Sequence, residues 1–158
     1  MQNGQSSDWN EKALEMNFGK LSADDQDLLY KAPALVSVLA ASTYNRINQD
    51  QKVEALKLAH LKTFTARAEL TSFYRVVEAN FKKDFEDLEK QFYPFDKPNR
   101  EALKSEIEKV NVIIGKLDKQ IAAVLHKSLN EYAMHIKKSG IGILDDFVFP
   151  LPIKGLTY

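Results

Sequence analysis

Residues 98–139, PNREALKSEIEKVNVIIGKLDKQIAAVLHKSLNEYAMHIKKS, decide the fold class. From Leu103 the apolar side chains fall at positions 103, 107, 110, 114, 117, 121 and 124. These alternating steps of four and three place them on one face of an α-helix. The stripe then drifts by one place to Leu125, Leu129, Tyr132 and Ile136, so the two halves are expected to face different neighbours. Asp96 and Pro98 supply a start, while Gly140 and Gly142 supply a stop. Read as one element, some forty residues at a rise of about 1.5 Å each make a rod on the order of 60 Å.

Immediately upstream, Tyr93-Pro94-Phe95-Asp96-Lys97-Pro98 carries two prolines and ends the preceding helix. That helix, over residues 68–93, is marked by Leu70, Tyr74, Val77, Phe81, Phe85, Leu88 and Phe92, again at steps of three and four. A short prolyl connection between two long helices predicts an antiparallel hairpin.

Shorter helices precede it. Ser22 reads as an N-cap, with Asp24, Asp25 and Asp27 in the turn that the helix dipole makes favourable for acids. Pro33 interrupts the pattern that follows and predicts a kink or a division. The segment from Ala34 to Ser42 is small and apolar nearly all round, as in a helix buried at the centre of a bundle. Asn48 and Gln51 have capping-box spacing for a next helix, with Val53, Leu56, Ala59 and His60 expected on its inner face. A turn is expected between Thr63 and Thr71, where Thr65 and Thr71 are candidate caps. At the N-terminus a loose tail over 1–7 leads to a short helix capped by Asp8 and ending near Gly19. Residues 141–158, apolar and broken by Pro150 and Pro152, are expected to be extended and to lie in a groove or on a partner. The fold class is therefore all-α, one domain over 1–158. It is a bundle built on the long hairpin, with shorter N-terminal helices and an extended Pro-containing C-terminal tail.

Composition narrows the function. Lys plus Arg and Asp plus Glu stand at 22 each, so no net field draws the chain to nucleic acid. The absence of Cys excludes disulfide frameworks, thiolate metal sites and cysteine nucleophiles, and suits a reducing compartment. The polar stretch Met1 to Asn10 lacks a signal-peptide pattern, and no apolar run approaches the roughly 18 residues of a transmembrane segment. A cytoplasmic location is expected.

Each candidate for chemistry has a plainer structural alternative. A di-iron or di-manganese bundle requires Glu-x-x-His on two helices. The residues three before His60, His126 and His135 are Lys57, Ala123 and Tyr132, so that pattern is missing. Glu131 and His135 share a helical face as a surface ion pair, while His60 and His126 read as core or boundary histidines. Asp145 and Asp146, inside the apolar tail, require solvent, a basic partner or a metal. Lys82-Lys83 and Lys137-Lys138 read as solvated faces, and the aromatic residues fall mostly on apolar stripes as core. Nucleophile-elbow and phosphate-loop motifs are missing.

The stretch from Leu28 to Ala41, the polar turn with Ile47, and Glu54-Ala55-Leu56 together resemble the opening helical pair of the tellurite-resistance (TerB-like) family. The resemblance covers residues 22–60. In that family the turn carries an Asp-Gly and later acids suggestive of a metal site; here it reads Thr43-Tyr44-Asn45-Arg46-Ile47-Asn48-Gln49-Asp50. The resemblance implies a stress-related metal-binding protein, with Asn48, Asp50 and Glu54 as candidate ligands of a divalent metal; no cofactor is otherwise expected. The residues themselves favour a non-enzymatic interaction or scaffold protein. The N-terminal helices are too short to cover the rod, which leaves Leu103, Ile107, Val110, Ile114, Leu117 and Ile121 for a protein partner or a homodimer, together with Phe147 and Phe149.

Overall fold

The computed structural model describes residues 18–43 and 46–139. Within them α1 spans Ala23–Ala41, α2 Gln49–Thr65, α3 Thr71–Phe92, α4 Lys97–Ile114 and α5 Lys119–Ser139. Two short strands, β1 (Ser42–Thr43) and β2 (Arg46–Ile47), pair antiparallel with Ser42 opposite Ile47. A 3₁₀ turn over Ala68–Leu70 leads into α3. The all-α class and the bundle architecture are therefore correct, and among the described residues no helix is long and apolar enough to cross a membrane.

Helix starts follow the expected capping chemistry. Backbone N–H groups in a first turn lack intrahelical acceptors, so a side-chain oxygen one step before the helix satisfies one of them. Ser22 Oγ accepts from Asp25 N at 3.1 Å, Asn48 Oδ1 from Gln51 N at 3.2 Å, and Asp96 Oδ1 from Asn99 N at 3.0 Å. Thr65 and Thr71, by contrast, cap no following helix. Their hydroxyls donate backwards, Thr65 to Leu61 O at 3.0 Å within the last turn of α2 and Thr71 to Arg67 O at 3.4 Å over the 3₁₀ turn.

α1 is the centre of the bundle. Every residue from Ala32 to Ala41 is buried, and α1 packs mainly against α3, α4 and α5. Its small side chains let three neighbours approach closely. Pro33 does not divide it: one helix runs through, and Ser37 Oγ donates to Pro33 O at 2.7 Å. Burial on all sides holds together a helix that has lost one backbone donor.

The expected rod of about 60 Å is two helices, α4 and α5, and not one. The chain leaves the helix after Ile114, where Lys116 N and Leu117 N bond back to Ile113 O and Ile114 O, both at 3.0 Å. Asp118 then starts α5, its Oδ2 accepting from Gln120 N at 3.2 Å. The four-residue interruption keeps the three-four count from Ile114 through Leu117 to Ile121, and so it imitates a continuous stripe. The hairpin does not organise the core either. α3 and α4 follow one another through the prolyl turn, but each packs far more on α1 than on the other.

Two surface assignments change with this architecture. Leu103, Ile107, Val110 and Ile114 are at most 2% exposed, and Leu117 and Ile121 are 7% exposed. They belong to the intrachain core because the bend folds the former rod around α1, so they are not a free seam. In α2 the buried residues are Gln51, Ala55, Leu58 and Ala59, whereas Val53 and His60 face outwards and Leu56 is half-buried. A polar residue turned this helix: Gln51 Nε2 donates to Ile136 O at 2.9 Å, and Tyr132 Oη donates to Ala55 O at 2.8 Å. The N-terminal tail over 1–7, most of the helix expected from Asp8, and the segment 141–158 with Asp145, Asp146, Phe147 and Phe149 lie outside the described residues.

Candidate functional site

With its inner face committed to α1, α3 and α5, α2 presents an opposite apolar face to solvent. Val53, Leu61 and Phe64 lie on it, at helical spacing, with exposures of 48%, 49% and 75%. Phe64 is the most exposed large apolar side chain among the described residues. Its ring meets the His60 imidazole edge-on, with centroids 5.3 Å apart. His60 in turn pairs through Nδ1 with the Glu78 carboxylate of α3. Lys57, between Val53 and Leu61, and Arg67, just past Phe64, are both well exposed and paired with Glu54 and Glu69. Val76, Val112 and Met134 are also exposed, but on other helices.

Around the C-terminal end of α2 lies a half-open cleft of about 280 Å³, between Lys62–Leu70 on one side and Ala123–Glu131 of α5 on the other. Its walls are mostly apolar, formed by Ala66, Leu70, Ala123 and Val124, and its polar groups come from Lys62, Thr65, Lys127, Ser128 and Glu131. The Lys62 ammonium sits 5.8 Å from the centre of the Tyr74 ring, a cation–π arrangement. Burial pulls the Lys62 pKa below the usual lysine value, and the Glu131 charge acts in the opposite direction. Arg67 also lines the cleft but is paired with Glu69 at 3.3 Å. Lys62 and Lys127 take part in no ion pair among the described residues. At the floor, Tyr74 Oη and Ser128 Oγ are 2.5 Å apart, both buried, and burial raises the Tyr74 pKa so that the phenol keeps its proton.

The residues singled out for metal chemistry are spread over different tasks. Asn48 caps α2, Asp50 is exposed in its first turn, and Glu54 contacts both Lys57 Nζ and His135 Nε2 at 3.5 Å. Among the described residues no three of His, Asp and Glu are grouped as a metal site. His135 pairs with Glu54 on α2 instead of Glu131 on its own helix, His60 is a surface residue, and His126 is buried at 3% exposure. From the acidic trio, Asp25 binds Lys116 Nζ at 2.8 Å, which ties the start of α1 to the bend after α4. Lys83 pairs with Asp87 at 2.9 Å on the exposed face of α3, in keeping with a solvated surface.

Leu61, Lys62, Phe64 and Ser128 carry the geometry of this region and do not stand out in the sequence. The available signal was that α2 holds two apolar sets, 55/58/59 and 53/61/64, on opposite sides. One set had to remain outside. The chain matches no family model, no curated protein and no solved structure.

Proposed function

We propose that the protein is a non-enzymatic interaction protein that takes a partner protein on the outer face of α2. The observation that carries this reading is Phe64, 75% exposed at the end of the Val53–Leu61–Phe64 stripe. A large ring held in water by a rigid helix gains free energy when covered, and aromatic side chains anchor protein interfaces. The Lys57–Glu54 and Arg67–Glu69 pairs set mixed charge around the stripe, as a polar rim surrounds an apolar interface centre. The interaction role expected from the sequence is retained, while its surface moves from Leu103–Ile121 to α2. A cytoplasmic partner is proposed, in keeping with a cysteine-free chain.

Phe64→Asp tests this directly. Thermal unfolding is expected to stay within about 0.5 kcal/mol of the parent, as for exposed substitutions in general. Affinity capture is expected to lose the partner retained by the parent protein. Capture unchanged by Phe64→Asp and by Leu61→Asp defeats the reading. If light scattering shows a dimer that Phe64→Asp dissociates, the partner is a second copy of the chain.

The metal-binding role implied by the family resemblance is a competing proposal, supported by Glu54 and His135 standing 3.5 Å apart. Calorimetric titration with zinc, manganese and calcium checks it, and the absence of heat removes it.

A further inference from the structure

The cleft beside α2 has polar groups whose hydrogen-bond directions can be worked out. Tyr74 is 0% exposed, and among the described residues its hydroxyl has a single partner, Ser128 Oγ. If Ser128 donated to Tyr74, the phenolic proton would be left in the interior without an acceptor, which costs more than an ordinary hydrogen bond returns. Tyr74 therefore donates, and the Ser128 hydroxyl proton is left for the cleft, which Ser128 lines. Lys62 adds a half-buried ammonium and Lys127 an exposed one, neither in an ion pair among the described residues. An ammonium taken partly out of water gains when an anion enters beside it.

The rest of the cleft sets the size and body of that anion. Its volume of about 280 Å³ is at the small end of the range for ligand sites. Ala66, Leu70, Ala123 and Val124 offer no hydrogen bonds from their side chains and match a short hydrocarbon body. Glu131 at the same cleft offsets one of the two ammonium charges, which leaves one for an anionic head. A polyphosphate or a dicarboxylate therefore fits less well than a group with one anionic head.

We propose that this cleft binds a small organic monocarboxylate, its head between Lys62 Nζ and the Ser128 hydroxyl and its apolar body on Leu70 and Val124. The site lies on the other flank of α2 from the Val53–Leu61–Phe64 stripe and does not depend on the interaction role.

Hexanoate is the probe, followed by amide NMR shifts of the full chain, with 1-hexanol and inorganic phosphate as controls. Saturable shifts confined to residues 62–70 and 123–131 are expected, with both controls at least about tenfold weaker, as the loss of a charge-assisted bond or of the apolar body implies. Lys62→Met keeps the stem of the side chain and is expected to weaken binding about tenfold. Ser128→Ala is expected to weaken it severalfold. Glu131→Gln is expected to tighten it, because a repelling charge is removed; weaker hexanoate binding in this variant would show that the carboxylate head does not lie within reach of the Glu131 charge and would overturn the proposed seating. Unchanged amide spectra outside the cleft identify variants that have kept their fold. No saturable shift, hexanol equal to hexanoate, phosphate equal to hexanoate, or shifts centred elsewhere each overturn the proposal.

Discussion

Tyr74 and Tyr132 stack in the core with ring centroids 6.5 Å apart, one hydroxyl bound to Ser128 and the other to Ala55 O. Burial raises both pKa values above the usual 10.0, and for Tyr132 the Tyr74 charge adds to this. An acid whose folded pKa is raised keeps its proton in the native state after the unfolded chain has released it. The unfolded state then binds fewer protons, and stability falls as pH rises past 10.0. Lys62 acts in the opposite sense, since burial lowers its pKa and stability rises with pH between its folded value and 10.5. Tyr132→Phe isolates the tyrosine effect, because Lys62 is common to both proteins. At neutral pH the variant is expected to lose about 1 kcal/mol with the bond to Ala55. In urea unfolding this deficit should shrink as pH is raised from about 9 to about 11. A deficit that stays constant would show that Tyr132 is not held protonated by the fold. None of this was legible in the sequence, where the tyrosines counted only as apolar stripe residues.

At the scale of the element, the bend between α4 and α5 poses the question of which residue makes it. Gly115 is the obvious breaker, yet its φ of −63° and ψ of −17° are right-handed and open to any residue. A Cβ added there would stand 3.3 Å from Val112 O and 3.6 Å from Asn111 O, a close fit with backbone neighbours. Asp118, in contrast, satisfies the Gln120 N–H at the new helix start, and Leu117 is drawn into the core. Asp118→Ala is expected to cost about 1 kcal/mol, as loss of an N-cap does. Gly115→Ala is expected to cost less, with the bend retained; denaturant titration and amide chemical shifts at residues 115–120 read both. A continuous helix in Gly115→Ala would assign the bend to glycine. The start of α5 was written in the sequence as an Asp before a helical run. It was masked because Leu117 keeps the spacing of the stripe across the interruption.

For the whole molecule, the decisive fact is that α1 occupies the centre and is enclosed by α3, α4 and α5. The stripe that a free rod would have offered to a partner is spent on this enclosure. Leu103→Ala is accordingly expected to cost about 2–5 kcal/mol, as for a fully buried leucine. Light scattering is expected to give the same molar mass before and after the substitution. A small loss of stability with dissociation of a dimer would restore Leu103 to an interface. The sequence by itself determined the all-α class, the caps at Ser22, Asn48 and Asp96, the inner face of α3 and the central place of the Ala34–Ser42 segment. Each of these follows from local rules: periodicity of three and four, a side-chain oxygen for an orphan N–H, and small residues on every side. Tertiary structure alone decided where the rod is cut, which side of α2 faces inwards and where Lys62 meets Ser128. Those outcomes depend on what lies opposite a residue in space. With one apolar set of α2 taken by the core through Gln51 and Ala55, the other, ending at Phe64, was left in water.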